Sequence, residues 1–197
     1  SRAGVAAFTT STGYGIAKYD NPEELSVSDR NNIGYQYTDC PLYWISVIYL
    51  NFAEAKAEMG SLTQDDLNNS INKLQARAGL PAMTTTPDAD PANNMGVSNL
   101  IWEIRRCRRC ELIMDNWYRY WDLIRWHQLD KLDSTKYPNT MLGANVSNVP
   151  DCEEATKNGY IDASDAQIRT YEAKHYFYPI PTTQLTLNKN MKQNPGW

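Results

Sequence analysis

The sequence has no surplus of positive charge: 19 Lys and Arg stand against 23 Asp and Glu, giving a net charge of −4 and a pI near 5.2. Without a positive field nothing collects a phosphate backbone, so nucleic acid is set aside as a partner. Long apolar runs are missing too. The most apolar stretch, Leu42 to Leu50, is interrupted by Ser46, and it is far shorter than the roughly 20 residues that a bilayer span needs. The N-terminus, Ser1-Arg2-Ala3-Gly4, lacks the charged-then-apolar pattern of a secretion signal. Either the protein is cytosolic or the sequence is an internal piece of an exported one; the opening forty residues read as mid-protein loop, which favours the internal piece. Histidine is scarce, with only His127 and His175, isolated in sequence. That leaves a catalytic triad or a histidine-built metal site unsupported, and neither metal nor cofactor is expected. Four cysteines are too few for a disulfide scaffold. Two of them form Cys107-Arg108-Arg109-Cys110, a C-x-x-C pair without the strand-to-helix setting of a redox motif or the second ligand pair of a zinc site. With Cys40 and Cys152 equally isolated, we read the pair as ordinary helix residues.

Against three Phe there are 13 Tyr and six Trp. An apolar ring with a polar tip suits half-buried surfaces and binding faces. The enrichment fits sugar or peptide handling and helix packing equally well.

Residues 1–38 are rich in Ser, Thr, Gly, Asn and Asp without periodicity and read as irregular. A helix is expected from Leu42 to Met59, with Ile45, Ile48, Tyr49 and Phe52 on one face and Gly60 as its stop. A second starts at Thr63, where Asp66 completes a weak capping box, and carries Leu67, Ile71, Leu74 and Ala78 as its stripe. Two helices joined by a short turn make a hairpin, the unit of TPR-like arrays. After a Thr/Pro/Asp/Asn linker, Ser98 is a good N-cap for a third helix to about Met114. A break at Asp115-Asn116 leads to a fourth, Tyr118 to Leu132. From Asp133 to Ala173 turn signals dominate, so short strands or turns are expected. The tail, Tyr176-Phe177-Tyr178-Pro179-Ile180-Pro181, is extended by its prolines, and its aromatics are expected to strap across other elements. The fold class is therefore mainly α, with TPR-like hairpins, long irregular loops and an extended C-terminal strap. One domain spans 1–197, built of an irregular segment 1–38, a helical core 39–132, and loops with strap 133–197.

The most informative segment runs from Ile104 to Trp126. It opens with four arginines within five residues (Arg105, Arg106, Arg108 and Arg109). A helix turns about 100° per residue, so these cannot share a face, and those turned inward need acidic partners. Glu111 lies three residues after Arg108, Asp115 four before Arg119, and Asp122 three before Arg125, all contact spacings on a continuous helix. An anion site is conceivable for such a cluster. The interleaved acids favour a structural ion-pair network of Arg108, Glu111, Arg119, Asp122 and Arg125.

Five blocks in order resemble the SusD/RagB family. Leu50-Asn51-Phe52-Ala53-Glu54-Ala55 resembles its "L-x-YAEA" helix, and Ile71 through Gly79-Leu80-Pro81 its "IN-x-LR-x-RAGLP". Arg108-Arg109-Cys110-Glu111-Leu112 resembles "ERR-x-EL", and Arg119 to Trp126 resembles "RYWDL-x-RW". Tyr178-Pro179-Ile180-Pro181 through Asn188 to Gln193-Asn194-Pro195-Gly196-Trp197 resembles the "YPIP…N…QNPG" terminus. Departures occur at Cys107, which replaces a usual Glu, at Asp115-Asn116, which replaces "EG", and in one extra residue before Arg119. The resemblance implies the C-terminal portion of a cell-surface lipoprotein of the outer membrane, of the kind found in Bacteroidota. Such a protein caps a SusC-like TonB-dependent transporter and binds oligosaccharides, or in some members peptides, without cleaving them. Signal and lipid anchor are expected outside this sequence, and so is part of the ligand site.

For sugar stacking, the aromatics of the irregular N-terminal stretch, Tyr14, Tyr19, Tyr35 and Tyr37, are the first candidates. Trp117, at the helix break, is a further one. Hydrolysis by two carboxylates is disfavoured, because the motif-like acids Glu54, Glu111 and Asp122 sit on helices beside arginines or small residues. Arginine neighbours hold a carboxylate ionised, the wrong direction for a general acid. No catalytic residue is assigned. A third possibility is a helical scaffold that binds another protein.

Overall fold

A computed structural model describes residues 10–16, 18, 26, 28–29, 42–149, 156–164 and 166–197. With 42% helix and 6% strand the chain is mainly α, as its periodicity predicts. Two units separate, Cys40–Trp126 and Ser1–Asp39 with His127–Trp197. Tyr19, Tyr35, Tyr37, Cys40 and Cys152 lie outside the described residues.

The first unit holds five helices among its described residues: α1 (Ile45–Glu58), α2 (Gln64–Asn68), α3 (Ile71–Arg77), α4 (Asn99–Glu111) and α5 (Tyr118–Arg125). On α1 most of the face predicted to be the core is turned outward, and of its four residues only Tyr49 packs against the core. Ile45, Ile48 and Phe52 are 63%, 59% and 43% exposed, while Val47, Leu50, Ala53 and Glu54 are buried. Both faces of α1 are apolar, so periodicity cannot choose between them. Packing does, because the small Ala53 lets α4 come close and Glu54 must reach arginines on the neighbouring helices. Leu50 and Ile104, both fully buried, anchor that contact together with Leu67, Ile71, Leu74 and Leu112. Each such side chain contributes about 1.5–3 kcal/mol by burial.

The capping box at Thr63 is formed: its Oγ1 accepts from Asp66 N–H at 3.1 Å, and Asp66 Oδ2 accepts from Thr63 N–H at 2.9 Å. Lys56, together with the bonds from Thr63, holds the Asp66 carboxyl down at about 2. The second predicted helix is interrupted at Ser70, whose hydroxyl donates to Asp66 O at 2.6 Å, so α2 and α3 are separate pieces. Leu67, Ile71 and Leu74 still line the core. The linker that follows is pinned to the helices. Asn72 Oδ1 accepts from Met83 N–H at 2.7 Å and its Nδ2 donates to Met83 O at 3.1 Å, while Asp90 accepts from Trp102 Nε1 at 2.8 Å. Ser98 caps α4 through Ile101 N–H at 3.3 Å. α5 ends at Arg125 rather than Leu132, since His127 takes a left-handed φ of 52° and a 3₁₀ turn, Leu129–Leu132, replaces further α-helix.

In the second unit three short strands, β1 (Leu142–Asn145), β2 (Thr156–Lys157) and β3 (Tyr160–Asp162), pair antiparallel in the order β1-β3-β2. The segment around Thr12 lies along β1, with Ala144 N–H donating to Thr12 O at 2.8 Å. Buried Asp133 organises the loops: it accepts from Thr135 Oγ1, and from Tyr171 N–H at 3.2 Å, contacts that hold its carboxyl down at about 2. Beyond a 3₁₀ turn, Ala173–Tyr176, and the extended prolines, the tail also forms a short helix, α6 (Thr182–Leu187). The tail then folds back on itself. Asn194 Nδ2 donates to Tyr178 O at 2.7 Å, Gln193 bonds both backbone groups of Ile180, and Trp197 Nε1 reaches Phe177 O at 2.9 Å. Tyr178 and Trp197 remain exposed instead of being buried under a strap.

Candidate functional site

The arginine-rich α4 packs against α1 and α5, and the buried acids between them set the chemistry of the first unit. Arg108 is buried at the α4–α5 contact. Its Nε donates to Asp122 Oδ2 at 2.7 Å and its Nη1 to Asn51 Oδ1 at 2.8 Å. Asp122 uses its other oxygen to accept from Arg125 Nε at 2.9 Å. Arg125 reaches on to Glu54 on α1 at 2.6 Å, and Glu54 also accepts from Trp126 Nε1 at 2.7 Å. Arg105 closes the chain, with Nε 3.4 Å from Glu54 and Nη2 3.2 Å from Glu58. Three helices are thereby linked by alternating charges. Burial weakens the Arg125 charge, but its bonds to Glu54 and Asp122 outweigh that and raise its pKa.

Two predicted pairings give way to others. Glu111 lies three residues from Arg108, yet it takes Arg77 of α3 in a two-pronged contact of 2.6 and 2.8 Å. Arg108 points inward, where an unpaired charge would be costly, so the buried Asp122 outcompetes the nearby rim acid. Arg119 is not joined to Asp115, because the helix is interrupted between Glu111 and Tyr118, and it has no ion-pair partner among the described residues. Burial and the Arg109 charge bring its guanidinium down to about 10. The sequence spacing missed Arg77, Arg105, Asn51, Glu54, Glu58 and Trp126 as members, since their contacts are distant along the chain.

The break between α4 and α5 is strained: Met114, Asn116 and Trp117 have φ of 64°, 36° and 57°. A non-glycine residue in this region costs about 1–2 kcal/mol. Asn116 Nδ2 donates to Leu42 O at 2.9 Å and ties the bend to the start of α1. Trp117 is 81% exposed. Close by, the C-x-x-C pair lies within α4, and both thiols are free. Burial, then the Glu111 charge, pushes the Cys107 thiol up to about 11.

Tyr14 belongs to the second unit, exposed beside the Thr12 segment that lines β1. Tyr14 and Trp117 thus fall in different units and do not form one cluster in either. Near the 3₁₀ turn of Pro138–Met141 the second unit also has a cavity of about 190 Å³, bordered by Leu142, Lys157, Asp162 and Gln167. No sequence motif marks it. Among the described residues no group of His, Cys, Asp or Glu could hold a metal ion, and no helix is long and apolar enough to cross a membrane.

The family model for the SusD family matches residues 2–197. Among solved structures, a SusD-like protein from Bacteroides fragilis NCTC 9343 superposes with a TM-score of 0.55 at 24% identity, over 79% of this chain and 25% of that one. The sequence therefore spans about a quarter of that protein's length. No curated protein matches.

Proposed function

The chain belongs to the SusD family, and from that premise we propose that it is part of a cell-surface receptor that captures oligosaccharides for a TonB-dependent outer-membrane transporter. In this reading the receptor binds its ligand and does not cleave it. The observation that carries the non-catalytic half is the occupation of the acids on α1 and α5. Glu54 and Asp122 are buried and already accept bonds from Arg125, Trp126 and Arg108. A glycoside hydrolase needs two carboxyl groups facing the scissile bond across a cleft, and these face guanidinium groups instead. Tyr14 and Trp117, exposed on their units, are our candidates for stacking on sugar faces, with Tyr19, Tyr35 and Tyr37 as further ones by sequence.

Calorimetry against malto-, xylo- and host-type oligosaccharides tests this. Saturable binding that weakens in Tyr14→Ala or Trp117→Ala, with no rise in reducing ends, supports the receptor. Release of shorter sugars refutes the non-catalytic half. The outward apolar face of α1 favours a second reading, a helical scaffold for a protein partner. Association with a transporter or a peptide, without any sugar binding, supports that one.

A further inference from the structure

We infer that the cavity between β1, β3 and the Ser134–Met141 segment is a subsite for a single neutral sugar ring, an inference that rests on the receptor reading above. Its size sets the first constraint. At about 190 Å³ it has room for several waters but falls below the roughly 300–1,000 Å³ of pockets that enclose drug-sized ligands. One ring fits, and an extended chain does not.

The lining sets the second. Met141, Leu142 and Ile168 provide an apolar wall, and Lys157, Asp162 and Gln167 provide polar groups. A pyranose has the same two-sided character, a ring of C–H bonds with hydroxyls at its edge. Asp162 is fixed in place: its Oδ1 accepts from Ser164 N–H at 3.0 Å and Oγ at 2.6 Å. These contacts hold the carboxyl below its usual range, so it remains an ionised acceptor. A carboxylate offers about four lone-pair sites, enough to take a hydroxyl as well. Among the described residues, no side-chain hydrogen bond or ion pair engages Gln167 or Lys157. Gln167 can therefore donate and accept, and Lys157 can donate.

Charge sets the third constraint. One ammonium and one carboxylate share the rim, so an anion would meet Asp162 and a cation would meet Lys157. A neutral ligand with both donors and acceptors meets neither penalty, and a hydroxylated ring is such a ligand.

The test is ¹H–¹⁵N NMR titration of the full 197-residue chain with methyl glucosides, galactosides and mannosides, beside acetate and a neutral tripeptide. One of the glycosides should move the Gln167 side-chain amide and the backbone signals of residues 141–142 and 162–168. Two variants at exposed positions that leave the core untouched, Ile168→Trp to fill the cavity and Gln167→Ala to remove a partner, should weaken that response by about tenfold. Spectra elsewhere should be unchanged, which establishes that each variant is folded. Glycoside binding that persists undiminished in Ile168→Trp overturns the subsite while leaving the receptor reading intact. Movement of the same signals by acetate or tripeptide alone overturns the ligand class. Failure of every mono- and oligosaccharide to bind anywhere removes both readings together.

Discussion

Removing either partner of the Arg108–Asp122 pair should cost far more stability than replacing both. The side chains are 5% exposed on each side and 2.7 Å apart. At an effective dielectric of about 20, that distance corresponds to a gross attraction of about 6 kcal/mol. Taking each ion out of water costs several kcal/mol, so the pair contributes little net stability relative to two apolar residues. A single change leaves the other charge buried without its counterpart. Arg108→Met or Asp122→Asn should therefore destabilise by about 3–5 kcal/mol. Asp122→Asn also weakens the contact to Arg125, but that side chain is 43% exposed and keeps Glu54, so this part is small. Arg108→Met combined with Asp122→Asn leaves no buried charge at that contact and should lie within about 2 kcal/mol of the parent, a coupling of at least about 4 kcal/mol. Urea unfolding followed by tryptophan fluorescence measures all four proteins, with Trp126 reporting from the same network. If Asp122→Asn costs less than about 1 kcal/mol, or if the two single losses simply add, the network is not the buried, mutually dependent structure described above.

Two further outcomes follow from the helical unit. Ile48→Lys should change stability by less than about 0.5 kcal/mol, whereas Leu50→Ala two residues on should cost about 2–5 kcal/mol; the same urea experiment compares them, and equal losses would place the core on the wrong face of α1. Cys107, with its thiol near 11, is neutral over the ordinary pH range. At pH 8 about one molecule in a thousand carries the thiolate, and that fraction rises tenfold per pH unit. Iodoacetamide at pH 8 should modify Cys110, which is exposed, and spare Cys107, as read by peptide mass spectrometry. Fast labelling of Cys107 in the folded protein would contradict its burial.

Local signals in the sequence located most helix starts, because each depends on a few adjacent residues. Ser98 and the Thr63–Asp66 box placed α4 and α2, and the Asp115-Asn116 break separated α4 from α5. Signals that depend on competition between distant groups did not carry. Ile45, Ile48 and Phe52 have the spacing of a core face, and only the position of Glu54 relative to Arg105 and Arg125 shows that the other face wins. Glu111 pairs with Arg77 across 34 positions, a contact that no helical spacing contains. The cavity beside Asp162 is assembled from three separate parts of the chain, within 134–142, at Lys157 and within 162–168, none with a motif of its own. Family resemblance was legible because its blocks sit where the chain is locally constrained, such as the turn after α3 and the proline-bearing tail.

Position 126 shows how narrow the substitution repertoire becomes in such a network. The guanidinium carbons of Arg105 and Arg125 both stack on the Trp126 ring, 4.5 and 4.6 Å from its centroid, while the ring edge donates to Glu54. Phenylalanine lacks the edge donor, tyrosine carries its donor at the far tip, and histidine would bring a third basic group beside two fixed ones. Only an indole combines a π surface broad enough for two cations with an N–H on its rim. A single aromatic ring thereby lets two like charges share one acid, and this position is tied to one amino acid by that geometry.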